Sequence, residues 1–326
     1  MEFPIQRPRR LRRTEALRRL FRETSLDAVD LILPVFVHAE SGSAPVPGMP
    51  GIERVDAEGA VAVALEAREL WLGGLLLFGI PASKDAQGAS AWAADGPVQT
   101  ALSQIRSEVG DDVVLIADTC LCAYTDHGHC GVLADDGSVD NDASIELIAK
   151  AAVSQARSGA DIVAPSDMMD GRVGAIRDAL DDEGFDQTAI VSYSVKHASA
   201  FYGPFRDAAG SAPSHGDRRG YQMDPANSDE AIREAVLDLG EGADALIVKP
   251  AMPCLDLISA VRTETGARVW GYAVSGEYAM IEAASANGSL DRRAAVLESL
   301  LAIKRAGAGS IITYHAREAA QWLRDR

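Results

Sequence analysis

The sequence predicts a (β/α)8 barrel behind a basic N-terminal arm, and three observations carry that reading. Short apolar runs rich in β-branched residues recur along the chain, helix-like segments separate them, and no glycine-rich nucleotide loop follows the first run. Near-continuous apolar strands are buried on both faces, as in a parallel sheet covered by helices. The competing architecture is an open doubly wound sheet, which the missing nucleotide loop disfavours.

Taken in order, the strand segments are Leu31–Val37, Gly74–Ile80, Val113–Thr119 and Asp161–Ser166, then Ala189–Ser194, Ala245–Pro250, Val269–Val274 and Ser310–His315. Between them, stretches such as Asp142–Ser158 and Leu290–Ala306 show helical periodicity, and several end in glycine before the next strand. Eight such units fit a closed barrel. No internal boundary interrupts them, so residues 31–326 read as one catalytic domain and residues 1–30 as an arm outside it.

The chain has 326 residues, enough for a large core. No apolar run approaches the ~18–20 residues needed to span a bilayer. The N-terminus lacks an apolar signal segment, so a cytoplasmic protein is expected. The formal charge of −17 is unevenly spread: residues 1–22 hold eight arginines against Glu2 and Glu15, a net +6, which leaves −23 on the remainder. A basic arm on an acidic body suits a contact with a neighbouring subunit. The acidic body would repel nucleic acid or an anionic membrane, and neither is expected as a partner. The acidic surface, nearly free of lysine, also hints at a high-salt cytoplasm.

Three of the four cysteines fall in one stretch, Cys120, Cys122 and Cys130, spaced C-x-C-x7-C with His127 and His129 inside it. Three thiolates without a fixed fourth ligand suit a zinc ion with one open position. A closed structural zinc, with His127 or His129 as fourth ligand, is the other reading. The clustering points to a metal in a reducing compartment rather than to a disulfide framework.

In a barrel of this type, chemistry sits at the C-terminal ends of the strands. Those ends hold the cysteine stretch, Ser166–Asp170, Lys196, Lys249, Ser275 and Tyr314. The chain has only five lysines against 26 arginines, so a lysine kept at a strand end is informative. Arginine cannot lose its proton to become a nucleophile. Lys196 and Lys249 lie on adjacent expected strands, where two close ammonium groups disfavour double protonation and leave a neutral amine to attack a carbonyl. Ion pairing or substrate anchoring are their non-catalytic alternatives. One Schiff-base lysine alone suggests a class I aldolase; two beside a metal suggest that two carbonyl substrates are joined.

The chain resembles the porphobilinogen synthase (5-aminolevulinic acid dehydratase) family in its zinc-binding, cysteine-rich form. The resemblance covers nearly the whole chain through RPRRLRR at Arg7–Arg13, MPG at Met49–Gly51, LFGIP, GASAW, DTCLCAYTDHGHCG and PSDMMDGRV. It continues through SYSVKHASAFYGPFRDA, GDRRGYQM, VKPAMPCLD, VSGEYAMI and ITYHA. It implies condensation of two 5-aminolevulinate molecules to porphobilinogen with loss of two waters, a step of tetrapyrrole synthesis. By the same resemblance, Lys249 forms the Schiff base with the substrate giving the propionate side, and Lys196 engages the other. Cys120, Cys122 and Cys130 hold a catalytic zinc, and Asp118 is a proton-transfer partner. Arg206 and Arg218, with Gln222 beside them, contact one substrate carboxylate from a lid spanning Arg206–Gln222, while Ser275 and Tyr314 hold the other. Glu234 anchors an allosteric magnesium at a subunit boundary, and the assembly is a homo-octamer of arm-hugging dimers.

Two residues depart from the family pattern. His197 stands where the family commonly has Tyr or Phe, and Cys254 where it usually has Tyr. His197 reads as a packing replacement, with tuning of Lys196 as its alternative, and Cys254 as a buried filler rather than a fourth zinc ligand. A class I aldolase would not need the three cysteines. A zinc-stabilised binding protein would not need two lysines at adjacent strand ends.

Overall fold

The computed structural model describes residues 6–325, and residues 1–5 of the expected arm lie outside them. Among the described residues ten strands occur: β1 (Leu31–His38), β2 (Ser43–Pro45), β3 (Glu53–Val55), β4 (Gly74–Ile80), β5 (Leu115–Thr119), β6 (Ile162–Pro165), β7 (Ala189–Lys196), β8 (Ala245–Lys249), β9 (Val269–Ala273) and β10 (Ser310–Thr313). The helices are α1 (Glu15–Leu20), α2 (Ala57–Leu70), α3 (Pro97–Val109), α4 (Asn141–Arg157), α5 (Arg172–Asp182), α6 (Gly203–Ala209), α7 (Asp229–Gly240), α8 (Leu255–Thr265), α9 (Ser275–Ala286), α10 (Arg292–Ala306) and α11 (Ala316–Arg324).

Eight of the strands form a closed parallel ring in the order β1-β4-β5-β6-β7-β8-β9-β10, with β10 returning to β1 through Leu31↔Ile311 and Ile32↔Ile312. This is the expected (β/α)8 barrel, and each expected strand lies within two residues of an observed one. The addition is the hairpin β2–β3. Its second strand pairs with the far end of β1, at Phe36↔Arg54 and Val37↔Val55, on the edge that β10 has already left. Strands of three residues carry too little periodicity to stand out in a sequence.

Side-chain parity divides the barrel into two cores. Leu31, Leu33, Val35 and Val37 pack outward against helices, while Ile32 and Phe36 point inward. On β4, Leu75 and Leu77 face the helices, and Leu76 and Phe78 the interior. A strand buried on both faces must be apolar at every position, hence the continuous runs in the sequence.

Aspartates begin several helices by accepting a hydrogen bond from the first turn: Asp56 from Gly59 N at 2.8 Å, Asp140 from Ala143 N at 3.1 Å and Asp291 from Ala294 N at 2.8 Å. Ahead of the barrel, Thr14 caps the short α1, and Leu20 and Phe21 stay exposed. The chain joins the barrel packing at Leu26, and Asp30 pairs with Lys304 at 2.6 Å. Among the described residues no helix is long and apolar enough to cross a membrane.

Candidate active site at the barrel mouth

Parity also aims the chemistry. Ile116 points inward, so Asp118, two residues on, does too; Ile247 places Lys249 inward in the same way. On β7 the inward residues are Val191 and Tyr193, and strict alternation would turn Lys196 outward. A register shift between Ser192 and Val195 reverses the parity, packing Val195 outward among the helices. A β-bulge thus re-aims Lys196. Lys196 and Lys249 become direct partners across β7 and β8. The sequence reading placed Lys196 after its strand, whereas it is the strand's last residue.

Both lysines are buried. Lys249 Nζ lies over four rings, 4.3 Å from the centroid of Tyr272, 5.0 Å from Phe205, 5.1 Å from Tyr202 and 5.3 Å from Tyr193. Lys196 Nζ is 5.7 Å from the Tyr193 ring and donates to the carbonyl of Ser166. Burial, and then the charge of Lys196, pull the Lys249 amine down to about 7. Burial pushes Asp118 up to about 7, against the opposing pull of Lys196 and Lys249. An amine and a carboxyl titrating together can exchange a proton near neutral pH. Asp118 Oδ1 and the Tyr193 hydroxyl are buried with no hydrogen-bond partner, and such groups cost stability unless something binds them.

The loop after β5 brings Cys120, Cys122 and Cys130 together, all buried as free thiols, with their sulfurs within 4.8 Å of one another. Three sulfurs around one tetrahedral zinc stand ~3.8 Å apart at Zn–S ~2.3 Å, so the cluster fits that ion with small side-chain shifts. Contacts from the Cys120 and Cys130 thiols hold Cys122 well below the usual thiol range, which suits a thiolate ligand. Both histidines have other work. His127 Nε2 meets Ala86 O at 3.2 Å, and its Nδ1 accepts from His129 N at 3.1 Å. The nitrogens of His129 meet Tyr221 Oη and His215 O, each at 3.1 Å. Neither imidazole is free to close the set, which favours the open reading.

The segment after β7 folds over this site. Phe205 on α6 packs on Phe36 and Phe78, with its backbone N–H donating to Ser275 Oγ at 3.0 Å. Arg206 and Arg218 each carry a buried Nε without a partner, as do both amide atoms of Gln222. The guanidinium of Arg218 donates to Gly128 O at 2.9 Å and to Ser211 O, so the lid is tied to the cysteine loop. Arg54 and Lys84 anchor its other end through Asp207 O and Gly210 O. Tyr314, one residue past β10, meets the Tyr272 hydroxyl at 3.1 Å. The cavity left among Asp118, Cys120, Cys122 and Phe205 is about 10 Å³. That is room for about one water, so a substrate does not fit there with this segment in place.

Glu234 lies apart from this centre. It is half-buried on α7 and lines a cavity of about 590 Å³ with Asp170, Asn227 and Glu230, a cavity that His129, Tyr221 and Gln222 line from the other side. Burial raises its carboxyl, and Arg172 pulls it the other way. Arg172 forms a buried fork with Asp238, 2.9 Å at each of two oxygens, and also reaches Ser192 Oγ at 3.0 Å.

Sequence reasoning missed the ring cage around Lys249. The inward parity of Tyr193 and Tyr272 was the available signal. Tyr202 and Phe205 come from the lid, whose irregular path gives no period to read. It also missed Glu277, buried and raised to about 7 by burial, whose carboxylate accepts from Met252 N at 2.8 Å and Val274 N at 2.7 Å. Glu277 thereby braces the turn that follows Lys249.

Comparison with known proteins fits this arrangement. A family model described as "Delta-aminolevulinic acid dehydratase" matches residues 5–322. The protein of that name from Halalkalibacterium halodurans is 52% identical over 325 residues, covering 99% of this chain and 98% of its own. The one from Bacillus subtilis is 50% identical over 324 residues, covering 99% of both. A crystal structure of the Toxoplasma gondii delta-aminolevulinic acid dehydratase (porphobilinogen synthase), in complex with the reaction product porphobilinogen, superposes with a TM-score of 0.96 at 44% identity, covering 99% of this chain and 93% of that one. The chain belongs to the delta-aminolevulinic acid dehydratase family.

Proposed function

We propose that Lys249 and Lys196 carry the family's lyase reaction in this chain, condensing two molecules of 5-aminolevulinate to porphobilinogen with loss of two waters. The observation behind this is the Lys249 amine, buried among four rings beside a second lysine and lowered to about 7. Such an amine is neutral often enough near pH 7 to attack a ketone. The C–N bond forms, the ketone oxygen leaves as water, and an imine remains. Asp118, titrating in the same range, can give the proton that leaves with that water. The imine acidifies the neighbouring carbon, and the ionised Asp118 can take the proton released there. Lys196 engages the second substrate in the same pocket.

Arg206 and Arg218 present forks suited to one substrate carboxylate, with Gln222 as a further donor; their unpartnered nitrogens support this role. Ser275 and Tyr314 supply hydroxyls for the other carboxylate. Cys120, Cys122 and Cys130 would hold zinc, which supplies Lewis acidity at its open position. Glu234 would anchor an allosteric magnesium. Magnesium keeps several waters, so one carboxylate beside a roomy cavity suffices. Residues 1–30 would act as an arm of the 31–326 barrel, docked on it from Leu26 onward and holding neighbours in a homo-octamer in the cytoplasm; exposed Leu20 and Phe21 beside the arginines support such a contact.

Borohydride reduction with 5-aminolevulinate present, followed by peptide mapping, should find the adduct on Lys249 and a second on Lys196. Adducts confined to Lys84, Lys150 or Lys304 would overturn the assignment.

A further inference from the structure

The two residues that depart from the family pattern meet in space. Cys254 Sγ lies 3.6 Å from His197 Nδ1, and both side chains are buried. Burial raises the Cys254 thiol to about 12, and burial lowers His197 against the upward pull of Glu230, Asp256 and Asp224. Both partners are therefore neutral near pH 7. The thiol donates, Nδ1 accepts, and the remaining ring N–H at Nε2 faces Asn227 O at 3.5 Å.

His197 stands at a junction. Its backbone N–H donates to Lys249 O at 3.1 Å, and it directly follows Lys196. Lys196 O accepts from Met223 N at 3.1 Å, and Ala198 N donates to Met223 O at 2.8 Å. Cys254 closes the short turn after β8, with its N–H donating to Ala251 O at 3.1 Å. The ring thus spans three segments: the end of β7, the turn after Lys249, and the loop that leaves the lid for α7. After the β-bulge the pairing of β7 with β8 resumes only at Val195↔Val248 and Lys196↔Lys249, and the ring adds a side-chain constraint just past that short stretch.

We infer that His197 and Cys254 form a neutral hydrogen-bonded clamp that positions Lys196 against Lys249 and holds the post-lid loop to the barrel. Neither side chain touches substrate; both are positioning residues. The inference rests on the lysine roles proposed above for its kinetic consequence, while the clamp itself is readable without turnover.

The test compares Cys254→Ala, Cys254→Ser, His197→Phe and the double variant His197→Phe/Cys254→Ala. Cys254→Ala and His197→Phe should each lower kcat about tenfold with KM little changed, because misplacement by a fraction of an ångström is felt in the chemical step. The double variant should be no worse than the poorer single, as for any two halves of one contact. Cys254→Ser keeps a donor and should stay within about twofold of wild type. Hydrogen exchange of peptides 189–198 and 223–228 should accelerate in Cys254→Ala and not in Cys254→Ser. Equal damage from Ala and Ser, or single effects that multiply in the double variant, would overturn the clamp. So would a drop in melting temperature with kcat and exchange unmoved. If wild type turns over 5-aminolevulinate without a Lys249 adduct, the lysine assignment fails, and the exchange pattern alone decides the clamp.

Discussion

Two buried charge clusters share strand β7, and they are built in opposite ways. Ser192 faces the helices and joins Arg172 and Asp238, where both carboxylate oxygens are engaged, Oδ1 by Arg172 and Oδ2 by Arg172 and Ser192. Tyr193, the next residue, faces inward, where Lys249, Lys196 and Asp118 lie with Asp118 Oδ1 and the Tyr193 hydroxyl unpartnered. A single step along the strand separates a carboxylate, Asp238, whose two oxygens are both engaged from one, Asp118, that leaves an oxygen unpartnered. A satisfied buried ion pair holds its neighbours in place and resists removal of either member. An unsatisfied one keeps its pKa values displaced and its free valences aimed at a ligand.

The largest contrast should come from Lys249→Met. Turnover should fall by at least ~10³-fold, since no other group there can form the imine. The folded protein should nevertheless gain stability. An amine at about 7 when folded and 10.5 in its ordinary state loses a proton on folding between those values, so its burial weakens the fold at every pH below about 10.5, most at and below 7. Chemical denaturation at pH 7 should show a gain of about 2 kcal/mol, allowing for water reaching the mouth. The same titration sets the pH profile of wild type, with kcat/KM rising through pH 7 as the amine loses its proton. A profile flat from pH 6 to 8 would contradict this.

Cys122→Ala should come next, with activity lost by about 10²-fold or more while circular dichroism and the melting temperature change little. Chelator should act on wild type in the same way, and magnesium should not restore either. A chelator that melts the barrel would make the cluster structural.

Arg172→Met should show the reverse of Lys249→Met. Leaving Asp238 and Asp167 buried without their cation should cost about 3–5 kcal/mol in urea denaturation, with turnover per folded molecule kept within a few-fold. A large turnover loss without destabilisation would erase the distinction between the clusters. Tyr193→Phe should be the mildest change, removing an unpartnered hydroxyl for a few-fold loss in kcat and a stability change within ~1 kcal/mol.

Much of this was legible in the sequence because the barrel's rules are local. Strands buried on both faces must be apolar at every residue, and Leu31–Val37 or Gly74–Ile80 can hardly be anything else. Cysteine spacing announces its own cluster, and scarcity of lysine made Lys196 and Lys249 conspicuous. The aim of Lys196 was not legible, because it depends on an extra residue in a bulge that breaks the period of two. Nor was the Arg172–Asp238 fork, whose members are 66 residues apart and look like ordinary helix-surface charges. The meeting of His197 with Cys254, separated by 57 residues, needed coordinates for the same reason.

The closure of the ring bears on how the chain is made. Strand β1 meets its last partner only when Ile311 arrives, about 280 residues after Leu31. At ~5–20 residues per second of synthesis, that is a wait of about 15–60 s. An unpaired apolar edge left open that long is a template for aggregation. The hairpin β2–β3 is made within some 25 residues of Leu31 and takes the Phe36–Val37 half of that same edge at once. It leaves only the Leu31–Ile32 half to be sealed by β10. Two strands of three residues each thus serve as an early bandage on a nascent chain, and refolding of a variant with Arg54→Pro should yield more aggregate than wild type at equal concentration.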